Sequence, residues 1–74
     1  MNAEFVALVS AVLKVPADAV SAELSPKTCK SWDSLATVNL VVTLEQHYKR
    51  VFSINELAEM SSVGAIWKLV SGLE

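Results

Sequence analysis

Trp32-Asp33-Ser34-Leu35-Ala36-Thr37-Val38-Asn39-Leu40-Val41-Val42-Thr43-Leu44-Glu45-Gln46-His47-Tyr48-Lys49-Arg50 is the stretch that decides the fold of this 74-residue chain. Leu35, Val38, Val41, Val42, Leu44 and Tyr48 recur at helical spacing and predict one helix from Asp33 or Ser34 to about Arg50. The stripe is wider than one buried face needs, which places Val38, Val42 or both on a surface open to a partner. Lys49 and Arg50 fall in the predicted last turn, where cations suit the helix dipole. Ser34 stands at the head of this helix. A serine nucleophile needs a base beside it, and the only histidine, His47, lies thirteen residues downstream on the same predicted helix. Ser34 is better placed to accept a phosphate-linked group, which makes the protein a carrier of cargo and not a catalyst.

Working outward, residues 2–14 put Phe5, Leu8, Val9, Val12 and Leu13 on one helical face, and Pro16 stops that helix near Lys14. From Pro16 to Ser31 no period is sustained; Val20 and Leu24 are the expected hydrophobic pins of a long loop. Beyond the central helix, Phe52 anchors a short connection. Ser53-Ile54-Asn55-Glu56 offers caps for a brief third helix holding Leu57 and Met60. Ser61 or Ser62 caps a fourth, with Val63, Ile66, Trp67 and Val70 inward and Gly72 as its stop. No strand-like alternation and no repeat occur. The expected fold is all-α: a small four-helix bundle with a long loop between helices one and two and a short third helix.

Composition narrows the function. Seventy-four residues predict one carrier domain over 1–74, with 53% hydrophobic residues arguing against disorder. The net charge is −2 and the six basic residues are scattered, so no footprint for nucleic acid is present. The apolar run from Phe5 to Leu13 is too short to cross a bilayer and follows no basic leader segment. Cys29 is alone, which excludes an intramolecular disulfide or a cysteine zinc cluster and fits a reducing, cytoplasmic setting. A start at Met1 suggests a free-standing protein, expected to be a monomer. Cys29 itself reads as an inert loop residue, Trp67 as core, Trp32 as loop packing with a partly exposed edge, and His47 as a surface residue without a second metal ligand.

The chain resembles the acyl carrier proteins. Asp33-Ser34-Leu35 carries the resemblance, followed by Thr37-Val38, Leu40-Val41, Leu44-Glu45, Phe52, Met60 and Ser62-Val63, and preceded by Leu13, Val15 and Val20. A bare Asp-Ser-Leu tripeptide is common; the tripeptide with this helix pattern and length is a more specific signal. The resemblance implies that Ser34 carries 4′-phosphopantetheine, transferred from coenzyme A by a phosphopantetheinyl transferase. Cargo would ride as a thioester on the arm's thiol, for acyl-loading and acyl-processing enzymes of the fatty acid or polyketide type. An aminoacyl, peptidyl or D-alanyl carrier, or an unmodified interaction module, is the alternative. The phosphodiester would sit by the free amides and positive dipole end of a helix.

The expected partner interface is Asp33, Leu35, Val38, Val42 and Glu45, with Asp33 serving as helix cap or partner contact and Leu35 as an apolar foothold. Leu44, Met60 and Val63 are expected to line a cleft for a short acyl chain. The chain departs from the family in charge. Ala36 and Asn39 stand where acidic residues are common, and Glu45 is the only acid after Asp33 in the helix, which also carries Gln46, His47, Lys49 and Arg50. This points to a specialised carrier that meets its enzymes through a more hydrophobic contact.

Overall fold

A computed structural model describes residues 1–71. Four α-helices form a bundle: α1 (Ala3–Leu13), α2 (Ser34–Tyr48), α3 (Ile54–Ala58) and α4 (Val63–Ser71), with one 3-10 turn at Ala17–Ala19. The all-α expectation holds. Gly72, read as the stop of the fourth helix, lies outside the described residues.

Local chemistry sets each boundary. Asn2 caps α1 by accepting from the Phe5 amide at 2.8 Å. Its far end closes on Lys14, whose φ of 58° is left-handed and whose amide returns to the Ser10 carbonyl. Ser53 and Glu56 form a reciprocal capping box on α3, and the Ser62 hydroxyl accepts from Ala65 at the start of α4. The predicted end of the central helix is corrected: α2 stops at Tyr48, not Arg50. Lys49 turns left-handed at φ 55°, and the amides of Lys49 and Arg50 both reach the Glu45 carbonyl. That turn takes Arg50 out of the helix. Its guanidinium instead contacts Glu56 at 2.8 Å and lies 5.2 Å over the Phe52 ring.

Phe5, Val9 and Leu13 of α1, Leu40 and Leu44 of α2, and Val63, Ile66 and Val70 of α4 meet in one buried core. Val20 is buried with them and Leu24 packs against them, so the two expected pins do hold the 14–33 segment down. Trp67 departs from its expected place in the core: it is half-buried and caps the core from outside, its ring 5.0 Å from Phe5. Trp32 departs the other way and is buried, with no exposed edge of note.

The long loop is also stitched to α4. The first amides of α4 have no partner within the helix; Val63 donates to the Leu24 carbonyl and Gly64 to the Ala22 carbonyl, each at 2.9 Å. Gly64 is required by this approach, because a Cβ there would stand 3.0 Å from the Ala22 oxygen and 3.1 Å from its Cβ. Relief of that contact moves Ala22 away by a few tenths of an ångström and stretches the hydrogen bond. Gly64→Ala is therefore expected to lower stability by about 1–2 kcal/mol despite alanine's better helix propensity. A thermal melt that is unchanged or higher would refute the close approach.

Candidate functional site

Ser34 occupies the first helical position of α2 and is exposed. Three neighbours shape that position. Asp33 precedes it in extended conformation and its Oδ1 accepts from the Ala36 amide at 2.8 Å, so this carboxylate is the helix cap. Trp32, buried under the turn, donates from Nε1 to Thr37 Oγ1 at 3.0 Å, and Thr37 donates in turn to the Asp33 carbonyl at 3.1 Å. Ser31 donates to the Leu13 carbonyl and ties the segment to the end of α1. The turn that presents Ser34 is thus braced from both sides. The amides of Ser34 and Leu35 belong to the first turn and have no acceptor within the helix, which leaves a positive helix end beside the hydroxyl.

His47 is about 20 Å further along the same helix axis at 1.5 Å per residue. It pairs with Glu4 of α1 and packs edge-on against Tyr48, 4.8 Å between centroids. It stands nowhere near the Ser34 hydroxyl. Cys29 is buried in the preceding loop with its sulfur 3.3 Å from Ser31 Oγ.

An apolar cleft opens between α2 and α3. Thr37, Val38, Val41, Val42, Leu57 and Met60 line a space of about 240 Å³. The helical repeat aligns it with the serine: Val38 and Val41 lie four and seven residues after Ser34, on the same side of α2. Met60 was expected here and is found here. Leu44 and Val63 were expected to line the cleft and do not; both are completely buried and belong to the core beneath it. Val41 and Thr37 take their place, and Leu57 closes the far wall. The i, i+4, i+7 relation to Ser34 was the signal that could have found Val41.

The remaining expected surface residues divide. Leu35, Val38 and Val42 are 68%, 57% and 44% exposed, apolar side chains facing outward beside Ser34. Glu45 turns inward instead, its Oε2 accepting from the Phe52 amide at 2.9 Å and fixing the connection to α3. Glu56 receives the Ser53 amide and the Arg50 guanidinium. The Ser53 backbone bond first, and Arg50 after it, hold the Glu56 carboxyl below the ordinary glutamate value. Sequence reading did not anticipate this Arg50–Glu56–Phe52 clamp.

A helical bundle that exposes a serine at the head of its second helix, beside an apolar cleft, has the shape of a carrier. A solved structure of a holo acyl carrier protein from Geobacter metallireducens matches it with a TM-score of 0.82 and 32% sequence identity, over 93% of this chain and 79% of that one. The chain belongs to the acyl carrier protein family. No protein-family model matches the sequence, and no curated protein does. Among the described residues, no helix is long and apolar enough to cross a membrane.

Proposed function

We propose that this chain is a single carrier domain that holds an acyl group as a thioester on a 4′-phosphopantetheine arm attached to Ser34. The arm, once bound, supplies the thiol that carries the cargo. The protein's own residues do the rest. Asp33 and the Trp32–Thr37 pair hold the Ser34 hydroxyl outward for the transferase, and the open amides of the first turn face the phosphodiester. Leu35, Val38 and Val42 give partner enzymes an apolar foothold around it. Asp33 and Glu45, grouped with them in the sequence reading, shape that surface through their internal bonds.

The observation that carries the acyl reading is the cleft. Apart from the Thr37 hydroxyl its lining is apolar, with no carboxylate among the lining residues. An alkyl chain entering it would leave water at a gain of roughly 25 cal/mol per Å². An aminoacyl ammonium entering it would find no partner for its charge, which is strongly unfavourable. Met60, flexible and polarizable, suits chains of differing shape.

Intact mass after incubation with coenzyme A, magnesium and a broad-specificity phosphopantetheinyl transferase tests the carrier reading; one added phosphopantetheinyl group is expected. No gain with any transferase would favour an unmodified interaction module. The cargo is tested by loading from octanoyl- and from alanyl-coenzyme A and melting both products. The octanoyl form is expected to melt higher than the unacylated holo form, at about 4–8 °C for each kcal/mol gained, and the alanyl form to match it. Identical melting of the octanoyl and unacylated forms would remove the cleft as the cargo site.

A further inference from the structure

The cleft between α2 and α3 opens on one side of Ser34. A second hollow, of about 260 Å³, lies on the other side, between the end of α1 and the start of α2. Val12 and Lys14 line it from α1 and its C-cap; Asp33, Leu35 and Asn39 line it from α2 and its N-cap. Asp33 and Leu35 are the chain neighbours of Ser34, so a group attached to the serine starts at the rim of this hollow. Lys14 is the only cation among the lining residues. It is exposed, and among the described residues it forms no ion pair. Asp33 gives one carboxylate oxygen to the Ala36 amide and keeps its full charge. A phosphodiester on the next residue adds a second negative charge beside it, and the two repel unless a cation offsets them. Lys14 is placed to be that cation.

The two openings differ in chemistry. The cleft is apolar apart from the Thr37 hydroxyl, whereas the hollow mixes Lys14, Asp33 and Asn39 with Val12 and Leu35. A phosphopantetheine arm has the same mixture: a phosphodiester, a gem-dimethyl group, a hydroxyl and two amides. In the cleft those amides would lose water and gain no partner. Asn39 offers both a donor and an acceptor, and stands about 7.5 Å beyond Ser34 along the helix axis. The pantoyl and β-alanyl units of the arm each span at least the roughly 3.5 Å of an extended residue, so an arm amide comes within reach of Asn39. We propose that this hollow seats the unloaded arm. Lys14 pairs with the phosphodiester on Ser34, Asn39 hydrogen-bonds an arm amide, and the gem-dimethyl group covers Val12 and Leu35. An acyl cargo draws the thiol end of the arm across α2, because the cleft takes an alkyl chain out of water. The inference rests on Ser34 carrying the arm.

NMR of the phosphopantetheinylated protein, with intact mass confirming one added group, tests the seat directly. Nuclear Overhauser contacts are expected from the gem-dimethyl protons of the unloaded arm to the Val12 methyls. The Asn39 side-chain amide and the Val12 and Lys14 backbone amides should shift on modification, and those of Leu57 and Met60 should not. Loading an octanoyl group should then shift Leu57 and Met60. The charge pairing is tested by the change in melting temperature on modification, taken within each variant so that any effect of the substitution on folding cancels. At about 20 mM NaCl that change should be about 1–5 °C more negative in Lys14→Gln than in the parent, as for one exposed ion pair. At about 500 mM the difference should vanish, because salt screens the pair. Asn39→Ala should weaken the contacts to Val12 without that salt dependence.

Contacts from the unloaded arm to Leu57 or Met60 would overturn the proposal in favour of the cleft. Shifts confined to the sequence neighbours of Ser34, with no arm contact to Val12, would overturn it in favour of an arm held in solvent. An equal melting change in the parent and Lys14→Gln at low salt would remove Lys14 from the seat. Each of these results, on protein that has gained the phosphopantetheinyl group, fails this inference alone. No mass gain with any transferase fails the carrier reading, and this inference falls with it.

Discussion

Ser34→Ala is expected to abolish the mass gain from coenzyme A completely while leaving the melting temperature within a few degrees of the parent. The size of the effect follows from what the hydroxyl does. As the proposed attachment atom it has no substitute: Ser31 donates to the Leu13 carbonyl on the far side of Trp32, and Thr37 is bonded to both Trp32 and Asp33. The small effect on stability follows from what the hydroxyl does not do. Helix α2 is capped by Asp33, not by Ser34, so the cap survives the substitution, and alanine is the better helix former. Residual modification in the mutant would move the attachment site to another hydroxyl. A large drop in melting temperature would mean that Ser34 is a structural residue, and intact mass with a melt on the same sample separates the two.

Phe5→Ala is expected to cost about 3–5 kcal/mol, and with it most or all of the folded population at 37 °C. Phe5 is completely buried at the meeting point of α1, α2 and α4, and its ring supports Trp67 at 5.0 Å. Removing it leaves a cavity and withdraws the support of Trp67, whose aromatic contact adds about 0.5–1.5 kcal/mol of its own. A domain of this size holds a reserve of only about 3–5 kcal/mol from its core. Phe5→Leu, which keeps most of the volume, should cost about 1–1.5 kcal/mol and stay folded. Chemical denaturation of the parent and both variants gives the comparison; a Phe5→Ala loss below about 1 kcal/mol would mean that the site collapses around the gap.

The helices were legible because their signals are local. Apolar residues at helical spacing, Ser53 with Glu56, Ser62 before Val63, and Pro16 after Lys14 each act within one or two turns of chain. The helix end at Tyr48 was not legible, because it depends on a lysine adopting a left-handed conformation that glycine usually supplies. Lys49 does so because the Arg50 amide and guanidinium both find partners once the chain turns there. The cleft was legible only in part. Met60 was placed correctly, but Leu44 and Val63 are equally apolar, and sequence alone cannot rank three apolar side chains by depth. Leu44 follows Leu40 at four residues and so sits under the helix, whereas Val41 sits at its edge.

By itself, the sequence determined that this chain is an all-α bundle with Ser34 at the head of its central helix, because periodicity and capping are written in neighbouring residues. Only the tertiary structure decided which backbone amide each carboxylate of this region holds. Asp33, Glu45 and Glu56 are formally alike in the sequence, and each is engaged once the amides of Ala36, Phe52 and Ser53 come within hydrogen-bond reach. An amide hydrogen bond fixes where a carboxylate sits and leaves its charge in place. In this chain α3 and the turn before it position two of the three, Glu45 and Glu56, while Leu35, Val38 and Val42 stay exposed along α2.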